Sequence, residues 1–428
     1  MQSKNTKSAI GFIFITLLID VMGWGLIIPV MANLIAELKN IPVNVASTSG
    51  AALLTVFAVT QFLFAPVIGN LSDKYGRRPV LLCSLLGFGV DYIVLALAPA
   101  YGWLFIGRVV AGITGASFTT ATAYIADISK TETDRAKNFG LIGAAFGLGF
   151  VLGPALGGLL AHFGIRAPFY AAAALCLLNC LYGYFFLPES LSIENRRPFE
   201  WKRANPLGSL KFLVKHPEIG GLAFGFFLIY LGAQAIQGNW NFFTIYRFGW
   251  SEGMVGMSLA VVGVLIGGVQ AGLTRVINPK IGNEKSIYIG LLLYTIGLIL
   301  FAFATQSWMM FVFLIPYCMG GICGPSLQSV ISVHVPPTQQ GELQGALTSL
   351  MSLTTIFGPL LMSFTFRYFT SQDAPFYFPG MHFLIGAVCM LLSLVIVNRV
   401  LSGDKIKHPE WADAIKGSAT NTTNTTPH

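Results

Sequence analysis

Asp20 lies within an apolar run, residues 10–30, that is long enough to cross a lipid bilayer, and no basic residue is near it in sequence. A carboxylate at bilayer depth costs about 2.5–3.5 kcal/mol on insertion scales, so such a residue is by default a functional group. Asp91 and Arg108 fall within two further apolar runs. Burial makes ionisation of a carboxyl costly, so its protonation can follow its access to water. Three ionisable side chains in hydrocarbon-soluble segments imply chemistry of moving protons or charge. Asp20 is the expected proton carrier, with Asp91 and Arg108 as a modulating pair or as a structural bridge.

The elements that position these groups follow from apolar length. A spanning helix needs about 20 mainly apolar residues. On that basis spans are expected near 8–37, 47–71, 79–98, 101–127, 136–161, 166–187, 218–246, 252–277, 284–305, 308–332, 340–369 and 377–401. Asp91 lies about eight residues before the turn joining spans three and four, and Arg108 about six after it. At a rise of about 1.5 Å per residue both sit roughly 9–12 Å below the same boundary and can pair. A pair would reduce the cost of burying either charge. The fold class is all-α polytopic membrane protein. Residues 1–187 form an N-terminal six-helix half, 188–217 a linker, 218–401 a C-terminal half and 402–428 a polar, disordered tail. Asn205–Leu213 is a candidate interfacial helix, with Leu207, Leu210 and Leu213 on one face.

Composition supports that class. Of 428 residues 54% are apolar and only 10% charged, against about 25% charged in soluble proteins. The net charge of +8 is unevenly placed. Of the 26 Lys and Arg residues, 21 fall on the side of the two termini, four on the opposite side, and Arg108 within a span. Positive loops mark the cytoplasmic side, so the excess is topology and not a nucleic-acid surface. The six cysteines all lie in apolar runs without the His or acidic neighbours of a metal site. The first apolar run is too long for a signal peptide and lacks a cleavage site. No Ser-His-Asp set, metal cluster or nucleotide loop points to an enzyme.

The two halves share a faint repeat. Gly140 and Gly153-Pro154 recur as Gly345 and Gly358-Pro359, and Gly112-Ile113-x-Gly115 recurs as Gly321-Ile322-x-Gly324. Such repeats place a binding site near the midplane between halves. In span seven Tyr230, Gln234, Gln237 and Asn241 follow i, i+4, i+7, i+11, a polar face that lipid would not favour. Trp24, Gln61, Tyr317 and Gln328 are further cavity candidates. Trp240 is either a cavity residue or an interface anchor. An amide and aromatic lining suits a small amphiphilic molecule.

Three motifs carry a resemblance. Gly69-Asn70-Leu71-Ser72-Asp73-Lys74-Tyr75-Gly76-Arg77-Arg78-Pro79 joins spans two and three and resembles the signature loop of the major facilitator superfamily. There Asp73, Arg77 and Arg78 would form a gating latch, with Asp127 pairing to Arg77. Gly107-Arg108-Val-Val-Ala-Gly112 resembles a motif whose Arg is linked to proton coupling. Gly149-x-x-x-Gly153-Pro154-x-x-Gly157-Gly158 resembles one found mainly in antiporters, which makes Gly153 and Pro154 gating residues.

Across nearly the whole chain to about residue 400, the sequence is similar to the tetracycline-efflux branch of the twelve-span drug:proton antiporters. Asp20-Val-Met-Gly, Gln61, Asp91-Tyr92, Gln234, Trp240, Gln270 and Gly341-Glu-Leu-Gln-Gly345 carry the likeness. The resemblance implies a major facilitator fold and proton-coupled export of a small amphiphilic, drug-like substrate. It also implies a multi-pass bacterial inner-membrane protein with both termini cytoplasmic, acting as a monomer with protons as coupling ion and no cofactor. Proton-driven uptake of a nutrient on the same scaffold is the alternative. Two positions depart from the branch, because Tyr294 stands where it has a span-nine acid and Ile266 where it has a span-eight His. Tetracycline itself is therefore the less secure part of the expectation.

Overall fold

The computed structural model describes residues 2–115, 117–129, 132–201, 210–336 and 339–403. Residues 205–209 of the candidate interfacial helix and 404–428 of the tail lie outside them, as do Lys130, Lys202 and Arg203. Among the described residues every regular element is a helix, and eleven segments are long and apolar enough to cross a membrane. The first half contains α1 (Gln2–Lys39), α2 (Val43–Tyr75), α3 (Arg77–Leu97), α4 (Tyr101–Thr114), α5 (Ser117–Ile128), α6 (Glu132–Leu160) and α7 (Ala167–Phe186). The short α8 (Leu210–Lys215) precedes α9 (Pro217–Gln237), α10 (Trp240–Phe248), α11 (Glu252–Gly268), α12 (Thr274–Ile281) and α13 (Asn283–Ala302). The second half ends with α14 (Ser307–Met319), α15 (Cys323–Val333), α16 (Gln340–Phe369) and α17 (Met381–Leu401).

Four expected spans are broken helices. The fourth divides into α4 and α5 at Gly115, the seventh into α9 and α10 at Gly238–Asn239, and the tenth at a 3₁₀ turn, Gly320–Ile322. The eighth departs most. It is not one helix over 252–277 but the 17-residue α11, a π-turn at Val269–Leu273 and the polar α12. Gly267, Gly268 and Gly272 weaken the α-helical register there. The Thr274 hydroxyl donates to the Val269 carbonyl five residues back, at 3.0 Å.

Close backbone approach holds the first half together. An added Cβ on Gly153 would lie 2.8 Å from the Met22 carbonyl oxygen and 2.9 Å from the Gly25 Cα. The glycine-proline motif of α6 therefore packs directly on α1, as small residues permit in lipid.

The same helix also forms the seam between halves. On the side away from the termini, Gly158 meets the Glu252 carbonyl oxygen and Gly263 meets Val151. Asn33 donates to Glu252 at 2.5 Å, Asn44 to Thr370 at 3.2 Å, and the Thr55 hydroxyl to the Ile356 carbonyl at 3.0 Å. Toward the termini the same faces continue as Gly140, Gly143 and Gly147 on α6 and Gly267 on α11, where an added Cβ would meet nothing within 4 Å. The halves are closed on one side and splayed on the other.

Gly256 faces the Pro154 carbonyl and the Gly158 backbone in the closed seam. Overpacking a tight contact costs about 1–3 kcal/mol. Gly256→Leu should therefore shift the population about tenfold toward the opposite arrangement. Distance measurements between spin labels at Asn40 and Gln372 should show a longer component growing; an unchanged distribution would argue that this seam does not hold the closed side.

Candidate functional site

The three intramembrane ionisable groups lie within the first half. Asp91 is fully buried and Arg108 is 5% exposed, and Arg108 Nη2 donates to Asp91 Oδ2. Asp91 explains why a glycine precedes Arg108, because a Cβ on Gly107 would lie 2.5 Å from Asp91 Oδ1. The carboxylate thus sits against the α4 backbone beside its partner. Arg108 also lies 5.8 Å from the centre of the Phe57 ring, a cation–π separation. Asp20, on α1, has both carboxyl oxygens buried. One turn further along α1, Gly23 packs against the hydroxyl of Tyr92, the neighbour of Asp91.

A cavity between the halves adjoins this group. Trp24, Ile28 and Arg108 line it from the first half, and Gln237, Asn241 and Phe242 from the second. The break after Gln237 turns Asn241 across the interface, where its side-chain amide donates to the Ile28 carbonyl at 2.9 Å. Helix breaks at membrane depth are tolerated where they line such a space.

The other sequence candidates are distributed differently. Trp240 is not in this cavity and is no interface anchor. It is 2% exposed, donates its indole N–H to Ser258 at 2.9 Å and packs edge-on against Phe301. Gln234 is buried against Gly358, so the polar face of span seven is shared between packing and cavity. Gln61 donates to the Gly115 carbonyl at 3.0 Å and thereby satisfies the break in span four. Tyr230 and Tyr317 gather with Tyr294 around the Gly320–Gly324 bend, with Tyr294 and Tyr317 edge-on at 4.9 Å. Gln328 donates to Gln344 at 2.7 Å on the splayed side, away from the cavity. Ile266 is half-buried on α11.

The loop between α2 and α3 forms a charge cluster. Arg77 bonds Asp73 at 2.6 Å, Asp127 at 3.2 Å and the Ser72 hydroxyl at 2.6 Å. The residue missed in the sequence is Glu189, just after α7. Its carboxylate accepts from the backbone N–H of Arg77 at 2.8 Å and of Arg78 at 3.2 Å, and also from Ser190 and Leu191. It therefore caps α3, whose first amides have no partner within their own helix. Gly76 makes the turn at φ +107°, and a Cβ there would overlap the same carboxylate. Asp127 further accepts from the Ser190 hydroxyl at 3.0 Å, and the Arg78 guanidinium donates to the Tyr184 carbonyl at 2.6 Å. Every partner named here comes from the first half or the linker. The signal in sequence was the Pro188-Glu189-Ser190 run directly after an apolar span, which composition treats as the start of a linker.

The architecture is that of a two-bundle membrane transporter, and comparison with known proteins agrees. Residues 13–315 and 276–421 match the family model described as the Major Facilitator Superfamily. The chain is 42% identical over 399 residues to the class C tetracycline resistance protein of Escherichia coli, covering 93% of this chain and 98% of that one. It is 39% identical to the class G protein of Vibrio anguillarum, over 89% and 95%. Among solved structures, the human organic anion transporter MFSD10 (TETRAN) matches with a TM-score of 0.69 at 24% identity, over 92% of this chain and 99% of that one. The nucleoside transporter NupG matches at 0.71 and 13% identity, over 94% and 99%. The chain belongs to the major facilitator superfamily, and within it to the tetracycline-resistance branch. It is a multi-pass inner-membrane transporter, not an enzyme.

Removing the helix cap should be measurable without transport. Glu189→Ala leaves the first amides of α3 and the linker without their acceptor, at about 1–2 kcal/mol. The purified protein should melt roughly 1–2 °C lower, and Glu189→Gln should recover part of that. An unchanged Tm would show that the cap is dispensable.

Proposed function

We propose that the protein exports a small amphiphilic compound from the cytoplasm in exchange for protons, by alternating access. The observation that carries this is the buried Asp91–Arg108 pair, whose Arg108 lines a cavity that both halves share, with the buried Asp20 carboxyl one helical turn from Trp24 of the same lining. Likeness to tetracycline resistance proteins over most of the chain favours export over nutrient uptake. With both termini cytoplasmic, the closed seam faces outward and the splayed side faces the cytoplasm. Protonation of Asp20 changes its charge and hydrogen bonding and so biases one arrangement over the other. A membrane potential of 100 mV contributes about 2.3 kcal/mol per charge, enough for roughly fiftyfold accumulation.

Trp24, Gln237 and Asn241 are the substrate contacts the cavity supports: an aromatic face for an apolar surface and amides for polar edges. Asn241 has a second duty in this reading, since its bond to Ile28 must break when the halves separate on that side. The cluster of Asp73, Arg77, Arg78 and Asp127 acts as the cytoplasmic latch, and the Gly153-Pro154 packing on α1 as the pivot. Protons are the coupling ion, and the unit is a monomer with no cofactor. Tyr294, which stands where the branch has an acid, is packed against Tyr317 and Gly320 and is not among the residues lining this cavity.

The test is a drug-susceptibility panel in an efflux-deficient host, comparing the parent with Asp20→Asn at equal expression. The parent should raise resistance to at least one amphiphilic compound, and Asp20→Asn should abolish the increase. Equal resistance in the two strains would remove Asp20 from the mechanism.

A further inference from the structure

The cavity between the halves has an electrostatic sign. Among the described residues lining it Arg108 alone is charged, and the others are apolar, aromatic, glycine or amide residues. Asp91 is fully buried and takes no part in the lining, and both carboxyl oxygens of Asp20 are buried. The ion pair therefore turns its positive end to the space. Arg108 reaches Asp91 through Nη2, while its Nε is buried with no hydrogen-bond partner among the described residues. A guanidinium has five N–H donors, more than one carboxylate can take up. The second half offers no acid in compensation. Its acids before the tail, Glu218, Glu252, Glu284, Glu342 and Asp373, all lie at the starts of helices or in the loop between α16 and α17. What it brings to the cavity instead is the amides of Gln237 and Asn241.

We propose that this cavity selects aromatic amphiphiles bearing an anionic oxygen group of the carboxylate type over cations of the same shape, with Arg108 setting the preference. The inference rests on the reading of this cavity as the site of the exported compound. A carboxylate beside Arg108 gains a charge-assisted hydrogen bond, and the low dielectric of the site strengthens it. A cation in the same place meets the guanidinium and loses its hydration, with no carboxylate in the lining to offset either cost. Discrimination is a difference of affinities, and the unmatched like charge supplies the repulsive part of it. Trp24 and the apolar wall of Ile27, Leu53 and Leu54 take the ring surface, and Gln237 takes a polar edge.

Equilibrium dialysis of the full-length protein in lipid nanodiscs, with empty nanodiscs as the blank, tests this at neutral pH. The probes are anthracene carboxylate, anthracenylmethanol and anthracenylmethylammonium, which share one ring system and differ in charge. The carboxylate should bind about tenfold more tightly than the ammonium ion, with the alcohol between them. Gln237→Glu adds a carboxylate to the lining at an exposed position and should narrow or reverse the ratio. Arg108→Gln combined with Asp91→Asn leaves neither charge unpaired in the bundle and should abolish the preference. The inference fails if the parent binds the ammonium ion as tightly as the carboxylate, or if both variants keep the parent's ratio. It also fails if none of the three probes binds above the blank. The assay involves neither transport nor a proton gradient, so these failures leave export of a neutral or cationic compound standing. A negative Asp20→Asn panel removes the export mechanism and leaves the charge preference to be measured.

Discussion

A guanidinium and a carboxylate buried together in an apolar helix bundle constrain everything around them. Asp91 and Arg108 cannot be left singly in hydrocarbon, because breaking a buried pair by removing one partner is strongly destabilising. Their contact fixes the relative depth of α3 and α4, and the glycine before Arg108 sets how closely those helices meet. The bend at Gly115, capped by Gln61 from α2, then directs α5 toward the charge cluster at the membrane surface. The pair thus ties the interior of the first half to its surface through rigid elements.

The two halves have different physical characters. The first concentrates charge: the ion pair, Asp20, and the surface cluster organised by Arg77 and Glu189. The second concentrates aromatic rings: Trp240, Phe301 and Tyr317 stack through its core, and His382 lies among Phe243, Phe366 and Phe383. Buried charge and stacked aromatic rings are therefore housed in opposite bundles. The cavity where Trp24 and Arg108 face Gln237 and Asn241 is where the two meet.

Movement between arrangements needs an interface that separates cleanly. The α6–α11 seam is made of glycine and backbone rather than interdigitated long side chains, so its halves can part without repacking a core. Polar links between the halves beside it, Asn33 to Glu252 and Asn44 to Thr370, are single hydrogen bonds. The π-turn that follows α11 lies just beyond the closed part of this seam, where the span faces open space. Such turns recur at functional positions in helices.

Much of this was legible in the sequence for a simple reason. Bilayer insertion reads hydrophobicity over a local window, so apolar length sets the number and order of the crossings. Charge bias between loops likewise assigns the sides. Depth counted along two neighbouring helices brought Asp91 and Arg108 level, since a rise per residue is a local property too. Other features depend on which distant surface arrives. Trp240 was ambiguous because an indole near a helix break looks the same whether it meets Ser258 or a headgroup. Glu189 capped α3 only because α7 ends beside it, more than a hundred residues along the chain. The π-turn after α11 was hidden because Gly, Val and Leu have the same hydropathy in a π-turn as in an α-helix. Sequence fixed what each segment must avoid, namely water or lipid. Tertiary packing alone decided which polar group each buried polar group would find.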